Sequence, residues 1–258
     1  MSHADSDDQN HADGADSTTD VAGRATAGAT YPQHFYDPPP RAGQVLLIRH
    51  GQSQPFNPAT PFPLVDGHGD PPLSPLGEHQ AELVGRRLAS EPIAAIYVSS
   101  LTRTHQTAAP LAKQLGLAPM VEPDLREVFL GIGEGGRFRE MMANDHPAAL
   151  EVRRTGEWGK LPGAETNQQL TDRTVGAVRR IAEAHPDQMV AAFCHGGVIA
   201  AVLGYAMGVM ATRFTGARHT SITHLVIEPP GSNPLHWTLR LFNDGGHSGT
   251  LTADLQPG

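Results

Sequence analysis

Three short apolar runs, each passing without a break into a polar cluster and then into helix-like sequence, constrain this chain more than any other feature. Val45-Leu46-Leu47-Ile48 leads to Arg49-His50-Gly51, Ile93–Val98 to Ser99-Ser100-Leu101-Thr102-Arg103, and Met189–Cys194 to His195-Gly196-Gly197. A continuous apolar run without alternation is how a strand covered on both faces reads, and such a strand needs helices above and below it. The intervening sequence supplies them. Pro75 to Glu91 carries Ser74 as N-cap and Pro75 at the first helical position, with Leu76, Leu83, Val84 and Leu88 on one face. Thr102 to Leu115 is stopped by Gly116, and 165–185 is amphipathic with Leu170, Thr174, Ala177, Val178 and Ile181 inward. An apolar helix is expected after Gly197 to about Met210, and late strands at about 220–228 and 235–243. The alternation predicts a three-layer α/β/α sandwich with a mostly parallel central sheet. Short polar helices near 137–160 add a small inserted helical lid, bounded at about 129–162.

The ordered domain is expected over 44–258. Residues 1–40 hold seven aspartates against one arginine, a balance of −6 that leaves about −2 of the net −8 for the rest. A segment so poor in large apolar side chains cannot offset its ordering entropy, so 1–43 reads as a disordered acidic tail and a proline-rich lead-in. Phe35 and Tyr36 are expected to pin that lead-in to the domain. A near-neutral domain is not a nucleic-acid binder, and no run reaches the roughly 18 apolar residues of a membrane span. The tail has neither the basic start nor the apolar segment of a leader. With Cys194 the only cysteine, no intrachain disulfide forms, which suits a reducing, cytoplasmic setting. A homo-oligomer is admitted but not required.

In open α/β sheets ligands bind beyond the carboxyl ends of the strands. Those ends here bring Arg49, His50, Arg103 and His195 toward one crevice, where helix N-termini add backbone donors. Planar guanidinium forks match phosphoryl oxygens, and a neutral imidazole can attack phosphorus. The expected ligand is therefore a small phosphorylated metabolite. No cofactor is called for, nor a metal, since the fourteen histidines offer no H-x-x-x-H or H-E-x-x-H spacing.

Six strings, L-L-I-R-H-G-Q-S, D-P-P-L-S-P-L-G-E-H-Q-A, Y-V-S-S-L-T-R-T-H-Q-T-A, D-L-R-E-V-F-L-G-I-G-E-G, P-G-A-E-T and F-C-H-G-G-V, together resemble the histidine phosphatase superfamily, the branch that includes cofactor-dependent phosphoglycerate mutases. They stand in that family's order over roughly 44–245. The resemblance implies that His50 is the nucleophile and becomes a phosphohistidine, with Arg49 and Arg103 on the transferred group. It implies that His195 hydrogen-bonds the phosphoryl oxygens, and that Glu127 protonates the leaving oxygen and then deprotonates water. Gln52, Asn57 and Gly196 join Arg49 and Arg103 as candidate substrate contacts.

The sequence also departs from the family pattern. Gly133 stands where a packing tryptophan is usual, which predicts a looser pocket wall. Phe56 occupies the usual asparagine position, with Asn57 after it, in a Gly51–Asp70 loop that is longer than usual. The acid sits in E-V-F-L-G-I-G-E-G rather than the mutase string E-R-H-Y-G, which favours the hydrolytic subgroup, and the scheme that the resemblance implies uses no metal. The alternatives are a phosphoglycerate-type mutase and a noncatalytic phospho-ligand binding protein; a histidine-ligated metallohydrolase is weaker. Arg137, Arg139, Arg153, Arg154 and Lys160 could meet a second anionic group of the substrate.

Overall fold

The computed structural model describes residues 32–229 and 237–249. The acidic tail through residue 31 and the start of the last expected strand lie outside them. Within the first of two units, Met1–Asp37, the described lead-in has no regular structure, and Phe35 and Tyr36 are exposed. The second unit, Pro38–Gly258, holds the rest.

Its elements run β1 (Gly43–Arg49), β2 (Leu64–Val65), β3 (His68–Gly69), α1 (Pro75–Leu88), β4 (Ile93–Val98), α2 (Thr102–Leu115), β5 (Met120–Val121), α3 (Arg137–Ala143), α4 (Pro147–Thr155), α5 (Asn167–Ala184), β6 (Met189–Cys194), α6 (Gly196–Met207), β7 (Ile222–Ile227) and β8 (Trp237–Asp244). Short 3₁₀ turns link several of them. The main sheet has the order β5-β4-β6-β1-β7-β8. Strands β5, β4, β6 and β1 pair in parallel, while β7 and β8 add an antiparallel edge.

The apolar runs are buried on both faces for the reason their sequences suggest. Val45, Leu47, Val190 and Ala192 point into one layer with α5 and α6, against Val178, Ile181, Ile199 and Leu203. Leu46, Ile48, Ala191 and Phe193 point into the other, against Val84, Leu88 and Leu111 of α1 and α2. Helix starts are set by local chemistry. Ser74 Oγ accepts the Gly77 N–H (3.1 Å), and Thr166 with Gln169 forms a capping box at α5. Helix α1 ends at Leu88, three residues before the expected Glu91, because the residue ahead of Pro92 is disfavoured in helical geometry. Helix α6 stops at Met207, short of Met210, on a left-handed Gly208.

The hairpin β2–β3 was not anticipated within the long loop, although Asp66-Gly67, both at positive φ (49° and 81°), is a strong two-residue hairpin signal. No helix among the described residues is long and apolar enough to cross a membrane.

Candidate active site

Because β4, β6 and β1 are adjacent and parallel, their carboxyl ends open on the same side and deliver Ser99, His195 and Arg49-His50 to one place. His50 is buried, its N–H donating to Cys194 O (3.0 Å) across the β1–β6 seam. Its ring Nδ1 lies 2.7 Å from Gly51 O. A carbonyl can only accept, so Nδ1 carries the proton and Nε2 keeps the lone pair. Burial, reinforced by Arg103 and Arg49, holds the imidazole well below the usual histidine pKa, so the ring is neutral at neutral pH.

Arg49 is held at its main chain and at its guanidinium tip. Its N–H donates to Ser221 O, its carbonyl accepts from Thr220 N, and Nη1 donates to Ala217 O. Arg103 is buried at the start of α2, where Nη1 donates to Gly69 O (3.1 Å) and Asp70 Oδ1 lies 3.8 Å away. Burial brings its guanidinium down to about 10. Asp70 also caps α2, accepting from Thr102 N (2.8 Å) and Thr102 Oγ1 (2.6 Å).

His195 is fully buried, its ring centroid 5.1 Å from that of His50, with Nε2 2.9 Å from Ser99 Oγ. Burial first, then Arg103 and His50, hold it well below the usual histidine range. Its Nδ1 is buried with no hydrogen-bond partner, which suits an atom awaiting an oxygen of a ligand.

Glu127 meets these groups from the segment after β5. Its Oε1 accepts from Val128 N (3.0 Å) and Gly197 N (3.1 Å). A Cβ on Gly197 would lie 2.5 Å from Glu127 Oε1, so glycine is what lets the carboxylate approach the first turn of α6. The segment is splinted by Arg173 of α5, which donates to the carbonyls of Asp124 (2.7 Å), Arg126 (2.8 Å) and Glu127 (2.9 Å) and pairs with Glu165 at 2.6 Å.

Arg49, His50, Arg103 and Glu127 line one cavity of about 200 Å³, and His195 sits behind His50. Three other candidates do not line it. Gln52 spends its Oε1 on the Ser74 hydroxyl (2.9 Å), and Gly196 backs onto the Arg49 guanidinium. Asn57 is exposed and folded into its own turn, accepting from Ala59 N (3.0 Å). The extra length of the loop carries it away, and Phe56 instead stacks edge-on against Phe62 (5.5 Å).

Of the five basic residues of the inserted segment, only Arg139 lines the cavity. Arg154, for example, is exposed and paired with Glu151. Nor is the wall loose at Gly133, which is buried and hemmed in by Leu130, Phe138 and Leu161, with Phe138 edge-on to Trp158. Two cavity residues are not among the candidates, His219 without a motif and Glu134 although it stands in the E-V-F-L-G-I-G-E-G string. His219 lies 6.0 Å from His50, centroid to centroid, and Glu134 accepts from Gly69 N (2.6 Å) and Leu130 N (2.7 Å). Among the described residues, no group of three His, Cys, Asp or Glu side chains could hold a metal ion.

The carboxyl end of a parallel sheet thus carries two arginines, a neutral imidazole and a carboxyl on one cavity, with a second neutral imidazole against the first, in an α/β fold. Residues 45–244 match the model of the histidine phosphatase superfamily (branch 1), and the chain belongs to that family. A "probable phosphoglycerate mutase GpmB" of Photorhabdus laumondii subsp. laumondii is 32% identical over 168 residues, which is 65% of this chain and 76% of that protein. A mycobacterial glucosyl-3-phosphoglycerate phosphatase superposes with a TM-score of 0.65 at 27% identity, covering 79% of this chain and 99% of that one. A phosphoglycerate mutase from Bacillus anthracis str. Sterne shares the fold at a TM-score of 0.66 and 20% identity, over 81% of this chain and 96% of that one.

Proposed function

We propose that this chain is a metal-independent phosphatase that hydrolyses a small phosphorylated metabolite through a phosphohistidine on His50. The observation that carries the reading is the His50 ring itself. Its Nδ1 proton is committed to Gly51 O, so a neutral Nε2 lone pair is available in a cavity walled by Arg49 and Arg103. In the first step Nε2 bonds to phosphorus, the bond to the ester oxygen breaks, and Glu127 gives its proton to the departing oxygen. In the second, water bonds to phosphorus, Glu127 takes a proton from it, and the N–P bond breaks to restore the imidazole. The guanidiniums offset the charge on the transferred group throughout, and His195 donates to its oxygens when Ser99 Oγ–H donates to Nε2 and Nδ1 carries the proton.

Hydrolysis rather than transfer is favoured by the sequence after Glu127 and by an insertion whose helices α3 and α4 have only seven and nine residues, a small shield against water. Sugar phosphates, phosphoglycerates and their glycosylated forms are the substrates to test, the last because the mycobacterial relative is named for one. We place the reaction in the cytoplasm, on the strength of the lone Cys194.

The test is a panel of phosphorylated metabolites with released phosphate as readout, run with wild type and His50→Ala. Phosphate should appear in solution with wild type and not with the variant. Phosphate that moves between positions on the ligand would make the protein a mutase, and ligand retained without turnover would make it a binding protein.

A further inference from the structure

Asn57 does not line the cavity, but Arg139 does. Arg139 of α3 donates from Nη2 to Ser53 Oγ (2.8 Å) and from Nη1 to Gln54 O (2.8 Å), and its Cζ lies 5.2 Å from the centre of the Phe62 ring. Ser53 and Gln54 follow His50 by three and four residues, so the guanidinium is tied to the same strand end as the nucleophile rather than to the outer rim. These bonds use two of its five N–H donors and hold the fork in one orientation. It lines the same cavity as Arg49, His50 and Arg103.

The guanidiniums sense one another. Behind the effect of burial, Arg49 lowers the pKa of Arg139; Arg103 is lowered by Arg139 too, behind burial and against the larger opposing pull of Glu127 and Asp70. Glu127 and Glu134, the carboxylates in the cavity wall, are both engaged by backbone N–H groups. Like charges gathered in a part-buried space are costly until an anion sits among them.

We propose that Arg139 is a third guanidinium on the transferred phosphoryl group, supplied by the inserted segment in place of a loop side chain. The inference rests on the phosphoryl pocket proposed above. It is chosen over a contact with a second anionic group because Ser53, an anchor of Arg139, lines the same cavity as His50.

Inorganic phosphate is the probe, titrated calorimetrically at fixed ionic strength into wild type, Arg139→Gln and Arg139→Lys, with thermal melting as the control for folding. Arg139→Gln should weaken phosphate binding roughly 10- to 100-fold, the usual range for a charge-assisted hydrogen bond. It should also lower kcat/KM by a similar factor for an aryl phosphate and for a carboxylate-bearing phosphate ester. Should Arg139→Gln fail to fold, Arg139→Lys decides the matter. A lysine cannot hold Ser53, Gln54 and phosphate together, so its phosphate affinity should fall at least threefold, on the order of 0.65 kcal/mol.

Unchanged phosphate affinity in the folded variants, or a loss confined to carboxylate-bearing substrates, overturns the proposal. The two readings fail separately. Phosphate binding that depends on Arg139 without hydrolysis of any ester removes the phosphatase reading alone, whereas hydrolysis with Arg139-independent phosphate binding removes only this one.

Discussion

Replacing Arg173 by methionine tests whether the proposed acid is held in place by a residue that never enters the cavity. The guanidinium serves three main-chain acceptors, Asp124, Arg126 and Glu127, within the turn that presents Glu127, and it pairs with a Glu165 only 12% exposed. Breaking one side of a buried pair costs roughly 3–5 kcal/mol. The Arg173 side chain is 20% exposed, and Glu165 keeps the Phe129 N–H, so we expect about 3 kcal/mol. With a urea dependence of about 2–3 kcal/mol per molar, the unfolding midpoint should fall by about 1 M.

The kinetic signature is separate from the loss of stability. A loosened Glu127 should cost roughly 10- to 100-fold in kcat for an alkyl phosphate, whose leaving oxygen needs a proton, but only a few-fold for a nitrophenyl phosphate. Arg173→Lys, which can restore the ion pair but not three carbonyl contacts, should recover stability better than rate. A destabilisation below about 1 kcal/mol, or equal losses on the two leaving groups, would refute the splint argument.

Glu127→Gln should reproduce the leaving-group dependence without the loss of stability; a uniform loss across both esters would argue against its acid role. Gly197→Ala puts a methyl group 2.5 Å from Glu127 Oε1, so kcat should fall tenfold or more, on the order of the cost of misplacing a catalytic group, while the melting temperature moves little. Wild-type rates in that variant would mean the contact is not needed.

The depressed pKa values of His50 and His195 also predict a pH dependence of stability. In the unfolded chain both rings take up protons near pH 6.5, while in the folded chain they stay neutral. The unfolded state therefore binds more protons, and stability falls as pH drops below about 6.5, by up to about 1.4 kcal/mol per pH unit for each ring. Urea unfolding of wild type and His50→Asn between pH 7.5 and 5.5 should show the shallower slope in the variant; parallel slopes would contradict the assignment.

What the sequence discloses and what it hides follow from the range over which each feature is determined. The strands and their polar ends are local: Val45 to Ile48 is apolar at every position because it is covered twice, and Arg49-His50 follows directly. Arg173 is different. It lies 46 residues from the Glu127 carbonyl it holds, at a helical position that reads as a solvated charge. His219 and Arg139 reach the cavity from segments without local pattern, brought there by the antiparallel return of β7 and by the packing of α3. Asn57 fails for the converse reason. Counting along a chain places a side chain only while the loop keeps its course, and here Asn57 closes a local turn with Ala59 and Thr60.

The bonds that Arg49 makes have a practical bearing on how its variants are interpreted. Its backbone clasps Ser221 and Thr220, its side chain reaches Ala217, and the clasped stretch carries the His219 ring to 6.0 Å from that of His50, centroid to centroid. An alanine at position 49 would keep the two main-chain bonds but remove both the proposed phosphoryl contact and the Ala217 anchor of the stretch that carries His219. Rates measured for it will overstate what one guanidinium contributes to the chemistry.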